Sequence, residues 1–225
     1  MDPNENALAQ AEWAVEAVNL RLEPVALNGA DEARFREASR DGSWDAALTA
    51  SIAWQQDQPF SKDAALAASY VAEMGVGDHG AALSSAKLGL MSNPGDAMLS
   101  NNAAYAAIAL GMFDDAEHFL RVDTGGLDVE EFNVLVATRG FLAFRRDHAE
   151  EGRRLYSDAI EGFVSERLAQ HTALAVCLWG IEEARIGSVV AAQLLSVAQK
   201  AVERAPSPDT AEQLARFERV MLGKG

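Results

Sequence analysis

Three glycine-bearing breaks, Asp41-Gly42-Ser43-Trp44, Val76-Gly77-Asp78-His79 and Leu110-Gly111-Met112-Phe113, place their glycines 35 and 34 residues apart, and a fourth break, Arg146-Asp147-His148, falls 36 residues further on. Small residues keep the same step: Ala47, Ala82, Ala116 and Gly152 follow the breaks at intervals of 35, 34 and 36. Pro59 and Pro94, also 35 apart, each lie where a second helix of the unit would stop, and proline is tolerated there because no further helical N–H is needed. One such short unit cannot bury an apolar face alone. A chain made of copies is therefore expected to stack them into one continuous core.

Inside each unit apolar residues recur at three and four spacing, as in Leu66, Tyr70 and Met74, then Leu83, Ala86 and Leu90. That is the pattern of helices with one buried face. The expected pairs are 31–40 with 43–57, 62–75 with 78–92, 96–110 with 113–122, 129–145 with 147–163, and 166–186 with 188–204. A leading helix is expected near 5–22, set off by Glu23-Pro24 and Asn28-Gly29, and a closing helix from about 208, opened by Ser207-Pro208-Asp209. In the closing helix Leu214, Phe217, Val220 and Met221 form an apolar stripe, and Glu212, Arg216 and Arg219 are expected to face water, since the last unit of a stack has no neighbour to cover it. The division is thus an N-terminal helix or cap over 1–30, a repeat domain over 31–206 and a C-terminal capping helix over 207–225.

A period near 34 residues, two helices per unit, a small residue early in the second helix and a closing proline resemble the tetratricopeptide repeat (TPR). The resemblance is best over roughly residues 31 to 164. It rests on Leu66, Tyr70, Ala82, Ala86, Gly89 and Pro94 in the unit from Asp63, on Ala104, Ala116 and Leu120 in the unit from Ala97, and on Val136, Gly140, Ala143, Gly152, Tyr156 and Ala159 in the unit from Asn133. The pattern tryptophan is missing, Asp123 stands where a small residue is usual, and over 166–204 only Ala198, Ala201 and Pro206 keep the register. The resemblance implies an all-α, right-handed superhelical solenoid of antiparallel helix pairs, with about four to five repeats and terminal capping helices. It also implies a concave face lined by first helices, which in this family is the usual seat of peptide binding.

On that register the inward-facing residues are Ala67, Val71 and Met74, then Met98, Asn101, Asn102, Tyr105 and Ile108, then Val134, Ala137, Phe141 and Arg145. Met74, Met98, Tyr105 and Phe141 read either as apolar pockets or as the ordinary packing stripe of a helix. Asn101 and Asn102 carry both a donor and an acceptor, which suits the backbone of an extended ligand; bonds to a neighbouring repeat or to water are the alternative. The expected partner-binding set is Met74, Met98, Asn101, Asn102, Tyr105, Phe141 and Arg145. The family's carboxylate clamp places basic residues on these first helices, and here the corresponding positions are mainly apolar or amide, so an acidic chaperone tail is not the expected partner.

Charge narrows the partner class. Of a formal net charge of −15, the larger share falls in residues 1–125, with 19 acids against 7 bases. Such a field disfavours nucleic acid and anionic membranes and favours basic partners; the same excess also serves solubility. Arg139, Arg145, Arg146, Arg153 and Arg154 form a basic exception, readable as an anion site or, with Asp147, Glu150, Glu151 and Asp158 interleaved, as surface ion pairs. Charge-free stretches such as Ser100–Phe113 are shorter than the roughly 18 to 20 residues a bilayer crossing needs, and Met1-Asp2-Pro3-Asn4-Glu5 lacks the basic start of a secretory signal. A cytoplasmic location is expected.

Chemistry finds little support. Gly75-Val76-Gly77-Asp78-His79-Gly80 matches a dinucleotide fingerprint, but it follows a helical segment rather than a strand. The four histidines are scattered, so no metal site and no cofactor is expected. Cys177 sits in an apolar run and reads as a buried thiol. The pairs Glu130-Glu131, Glu150-Glu151 and Glu182-Glu183 point about 100° apart around a helix, which suits a solvated face better than an acid/base pair. The expected function is a non-catalytic scaffold holding a protein or peptide segment on the concave face; the alternative is a regulatory or oligomerising region of a larger signalling, transcriptional or enzymatic chain.

Overall fold

The structure, a computed structural model, describes residues 30–223; the leading helix expected near 5–22 lies outside the described residues. Among the described residues the fold is all-α, with eleven helices and no strand. They are α1 (30–40), α2 (Trp44–Asp57), α3 (Lys62–Tyr70, continued by a π-helical turn, Val71–Val76), α4 (His79–Ser92), α5 (Ala97–Ala109) and α6 (Phe113–Phe119), followed by α7 (Val129–Arg145), α8 (Ala149–Ser165), α9 (Ala169–Arg185), α10 (Val190–Arg204) and α11 (Pro208–Met221).

The breaks in the sequence are helix stops of one kind. At the ends of α1, α5, α7 and α9 an N–H reaches back five residues, from Ser43 to the Ala38 carbonyl, Met112 to Ala107, His148 to Ala143 and Ser188 to Glu183, at 2.8–2.9 Å. The residue just before each donor is left-handed: Gly42, Gly111, Asp147 and Gly187, with φ of 68°, 78°, 64° and 67°. This is the glycine-favouring cap that satisfies the last carbonyls of a helix. The end of α3 carries one extra residue in its π-helical turn, so the Asp78 N–H spans six residues to the Ala72 carbonyl, at 2.7 Å. α8 stops as α1, α5, α7 and α9 do, with Arg167 left-handed at φ 60° and the Leu168 N–H reaching the Phe163 carbonyl at 2.8 Å, but the other second helices α2, α4 and α10 stop differently. Gln58, Asn93 and Ala205 take φ of −126°, −128° and −134°, each ahead of a proline that disfavours further helix. Helix starts are fixed by side chains of Ser61, Asp78, Asp96, Asp128 and Ser207, which accept from N–H groups of the first turn.

α6 stops at Phe119 rather than near 122. Two bonds account for this: Arg139 donates to the Leu120 carbonyl at 3.2 Å, and the Asp123 carboxylate accepts from the Gly125 N–H at 2.9 Å, folding the chain into a turn.

Each helix from α2 onward packs on its neighbour in sequence, except that α7 follows α6 across a loop and packs on α5 instead. A second set of contacts joins α3 to α5, α5 to α7, α7 to α9 and α9 to α11, and α11 returns to the π-helical turn of α3. The closing helix packs on the last pair as expected, with Leu214, Phe217 and Val220 inward, but the expectation needs one correction: α11 also crosses back towards the start of the described chain. The Gln213 side chain, fully buried, donates from Nε2 to the Met74 carbonyl at 2.7 Å, across 139 residues. Phe217 is also fully buried and lies where a side chain on Gly180 would be. Of the residues expected to face water, Arg219 does so and pairs with Glu212 at 2.8 Å, while Arg216 is half-buried on the inner side.

Candidate functional site

Helices α3, α5, α7 and α9, with two residues of α8, line a half-open cavity of about 420 Å³. Its wall is mostly apolar. Met74, Met98, Asn101, Asn102 and Tyr105 of the expected set line it, together with Ala67, Val134 and Ala137. Phe141 and Arg145 stand behind the wall instead. Phe141 is buried against Tyr105, ring centroids 4.7 Å apart, and the Arg145 guanidinium lies 4.9 Å over the Phe141 ring. Val71 and Ile108 are wholly in the core.

The two asparagines differ. Asn102 donates to the Ser69 hydroxyl of α3 at 2.9 Å, so its amide ties neighbouring first helices together. Asn101 is 6% exposed, and its Oδ1 has no hydrogen-bond partner among the described residues. Asn101 is therefore the amide in the wall whose bonding capacity is left open. Burial pushes the hydroxyl pKa of Tyr105 and Tyr156 well above the ordinary tyrosine range, so both remain neutral donors and acceptors at the cavity surface. Tyr70 is raised too, first by burial and then by the Asp209 carboxylate beside it.

Several wall residues escaped the sequence reading. Leu66, Tyr70 and Tyr156 carry repeat-packing positions, yet also reach the cavity, because a side chain between two first helices can touch both core and lumen. His171, Leu174 and Leu178 come from α9, where the repeat register is faintest. Glu73 and Glu130 supply carboxylates: Glu73 accepts from His79 Nδ1 at 2.8 Å, and Glu130 lies 3.4 Å from His171 Nε2.

The arginine cluster is committed internally. Arg139 bonds the Leu120 carbonyl; Arg145 bonds Glu182 at 2.7 Å; Arg146 bonds Asp114 and Glu117; Arg153 bonds Glu150 and Glu183; Arg154 bonds Asp158. Glu182 and Glu183 correct the solvated-face reading, being 4% and 0% exposed. They behave oppositely. Burial raises the Glu182 pKa against the pull of Arg145. Burial also acts to raise that of Glu183, but donors from Arg153, Ser188 and Trp179 outweigh it and hold the carboxyl below its usual range. Cys177 is buried, and burial alone pushes its thiol up to about 12, which leaves no thiolate for attack. Gly75 and Gly77 of the glycine-rich stretch have local duties: a side chain at 75 would meet the Trp44 ring, and Gly77 is the left-handed residue that ends α3.

Among the described residues no three His, Cys, Asp or Glu side chains gather as a metal site would require, and no helix is long and apolar enough to cross a membrane. Comparison of the chain with protein-family models, with curated proteins and with solved structures gives no match.

Proposed function

We propose that this chain is a non-catalytic, cytoplasmic scaffold of the tetratricopeptide kind, a right-handed solenoid of four to five helix pairs that holds a protein segment against its first helices. The observation that supports this reading most is the cavity itself. Its wall is assembled from successive first helices, is largely apolar, and carries an unpartnered amide at Asn101. A peptide suits such a wall, because its apolar side chains fill the space and its backbone satisfies the amide. At about 420 Å³ the cavity takes a few side chains of a chain end or tight loop. A segment of basic character fits best, since Glu73 and Glu130 are on the wall and the chain as a whole is acidic.

The test is selection from a displayed random-peptide library, followed by calorimetric titration of the selected peptides. Ala67→Phe and Ala137→Phe each put a ring into the cavity from a half-buried position. Both are expected to weaken binding by about tenfold or more with unchanged circular dichroism. Peptides that bind the filled variants as well as the parent would place the site elsewhere.

A further inference from the structure

The polar groups on the cavity wall are unbalanced between donors and acceptors. Asn101 is 6% exposed and lines the cavity, and its Oδ1 is buried with no partner among the described residues. Further acceptors stand on the same wall: the carboxylates of Glu73 and Glu130 and the hydroxyls of Tyr105 and Tyr156. Both Glu73 oxygens face a single group, His79 Nδ1, at 2.8 and 3.0 Å, which fills only part of the four or so acceptor sites of a carboxylate. The wall's donors are already engaged. Asn102 gives an N–H to Ser69, Thr138 gives its hydroxyl proton to the Val134 carbonyl, and the His171 ring faces Glu130. No lysine or arginine lines the cavity, and Arg145 and Arg216 act on Tyr105 and Glu182 without being part of the wall.

We propose that the cavity receives a lysine side chain of the bound segment, with its methylenes along the apolar wall and its ammonium donating to Asn101 Oδ1 in the field of Glu73 and Glu130. This rests on the reading of the cavity as the binding site and names the group that anchors the segment there. An ammonium carries three donors and no acceptor, which answers a wall of unsatisfied acceptors. Its four-carbon stem is apolar and suits Leu66, Met74, Met98 and Val134, and the tyrosine rings offer faces that attract a cation. Because the cavity is half-open, the backbone of the segment stays outside while the side chain reaches in. Other anchors fit worse. A carboxylate meets like charge, a tryptophan or tyrosine leaves the two glutamates without a counter-charge, and an arginine brings five N–H donors in a rigid fork that one free amide oxygen cannot satisfy.

The experiment titrates three small probes into the full chain and follows the tyrosine ring protons by NMR. The probes are pentylamine, protonated at neutral pH as lysine is, 1-pentanol, which is neutral, and pentyltrimethylammonium, which has the charge but no N–H. Pentylamine should bind roughly tenfold more tightly than the other two, and Ala137→Phe should lose all three. Asn101→Leu should still bind pentanol, which also reports that it is folded, and should lose the advantage of the amine. Asn101→Asp keeps an oxygen at the buried position and should retain that advantage. Library-selected peptides should carry a lysine whose replacement by norleucine, the same chain without the nitrogen, weakens binding about tenfold. Pentanol binding as tightly as the amine, or an amine advantage that survives Asn101→Leu or vanishes in Asn101→Asp, would overturn the lysine anchor; if Ala137→Phe still abolishes binding, the cavity stands as an apolar site. Tighter binding of pentyltrimethylammonium than of pentylamine would overturn it in favour of the aromatic faces. Selected peptides without lysine, beside a preference for pentylamine, would overturn the peptide source in favour of a small free amine. Probes that never bind, or that bind Ala137→Phe equally well, would sink the cavity reading and the anchor with it.

Discussion

The stretch α3–α6 and the stretch α7–α10 solve the same packing problem with different chemistry. In the first, helices touch through methyl groups: Ala64, Ala68, Ala72, Ala82, Ala86, Ala103, Ala104, Ala106 and Ala107 are all fully buried, and a side chain on Gly89 would begin 2.5 Å from the Ala65 Cβ. In the second, the gaps are filled by Phe144, Tyr156 and Trp179, the last two stacked at 6.3 Å and 4°, and bridged by Arg145 to Glu182 and Arg153 to Glu183. The turns are alike in both, so turn geometry sets where helices lie and side-chain size sets what must fill between them. Close approach stabilises through dispersion and apolar burial, whereas the ion pairs must first offset the cost of leaving water.

The largest expected effect breaks the second region. Arg153→Met removes both bonds to Glu183 and leaves a carboxylate of 0% exposure without its cation, held only by the Ser188 and Trp179 donors. Because Arg153 itself is 30% exposed, the loss should sit at the lower end of the range for buried pairs, about 3 kcal/mol. It would be read as a fall in the urea midpoint at unchanged slope. Adding Glu183→Met should return most of that loss; if the double variant is no more stable than the single one, the pair is not the bridge described above.

The corresponding change in the first region is Gly89→Ala, whose new methyl meets Ala65. Overpacking of this kind costs about 1 to 3 kcal/mol and is offset in part by the better helix propensity of alanine. Moving the methyl across the interface, Gly89→Ala with Ala65→Gly, should recover at least half of the cost. Failure to recover would mean that Gly89 is kept for a reason other than room.

These two regions also explain what the sequence made legible. The alanine half announces itself, because small residues at a fixed step mark the places where helix backbones approach closely, and the helix limits expected from α2 to α5 lie within a few residues of those observed. The charged half does not. Arg145, Arg153, Glu182 and Glu183 alternate with other charges along their helices, and a one-dimensional pattern cannot tell a pair joined across 30 or 37 residues from a solvated face. The cavity wall was half legible for the same reason: α3, α5 and α7 follow the register, while α9 contributes from outside it. The return of α11 was hidden altogether, since no local pattern joins Gln213 to the Met74 carbonyl 139 residues away.

The adjacent glutamates sharpen the comparison through pH. The Glu183 carboxyl is held below its unfolded value, so its contribution is complete above about pH 4.3 and is lost as pH falls through the depressed native value. The Glu182 pKa is raised, so the contribution runs the other way: it is present below about pH 4.3 and is lost as pH rises through the raised native value. Urea midpoints measured against pH for Glu183→Gln and Glu182→Gln should therefore diverge from the parent with opposite slopes. Equal slopes would show that the two carboxyls share one environment.

The smallest effect concerns the turns: the first region uses only glycines, among them Gly77 and Gly111, in the left-handed position, the second Asp147 and Arg167 as well as Gly187. A side chain at φ near 64° crowds its own carbonyl, a cost glycine does not carry. Glycine in turn loses more chain entropy on folding, so Asp147→Gly gains only the difference, about 0.5 to 1 kcal/mol. The reverse change, Gly111→Asp, should cost about the same, because nothing lies within 4 Å of the position a side chain would take there and only the backbone is at issue. If Asp147→Gly destabilises instead, the Asp147 side chain contributes to the turn between α7 and α8 in a way that outweighs its strain, and the two regions differ in their turns as well as in their packing.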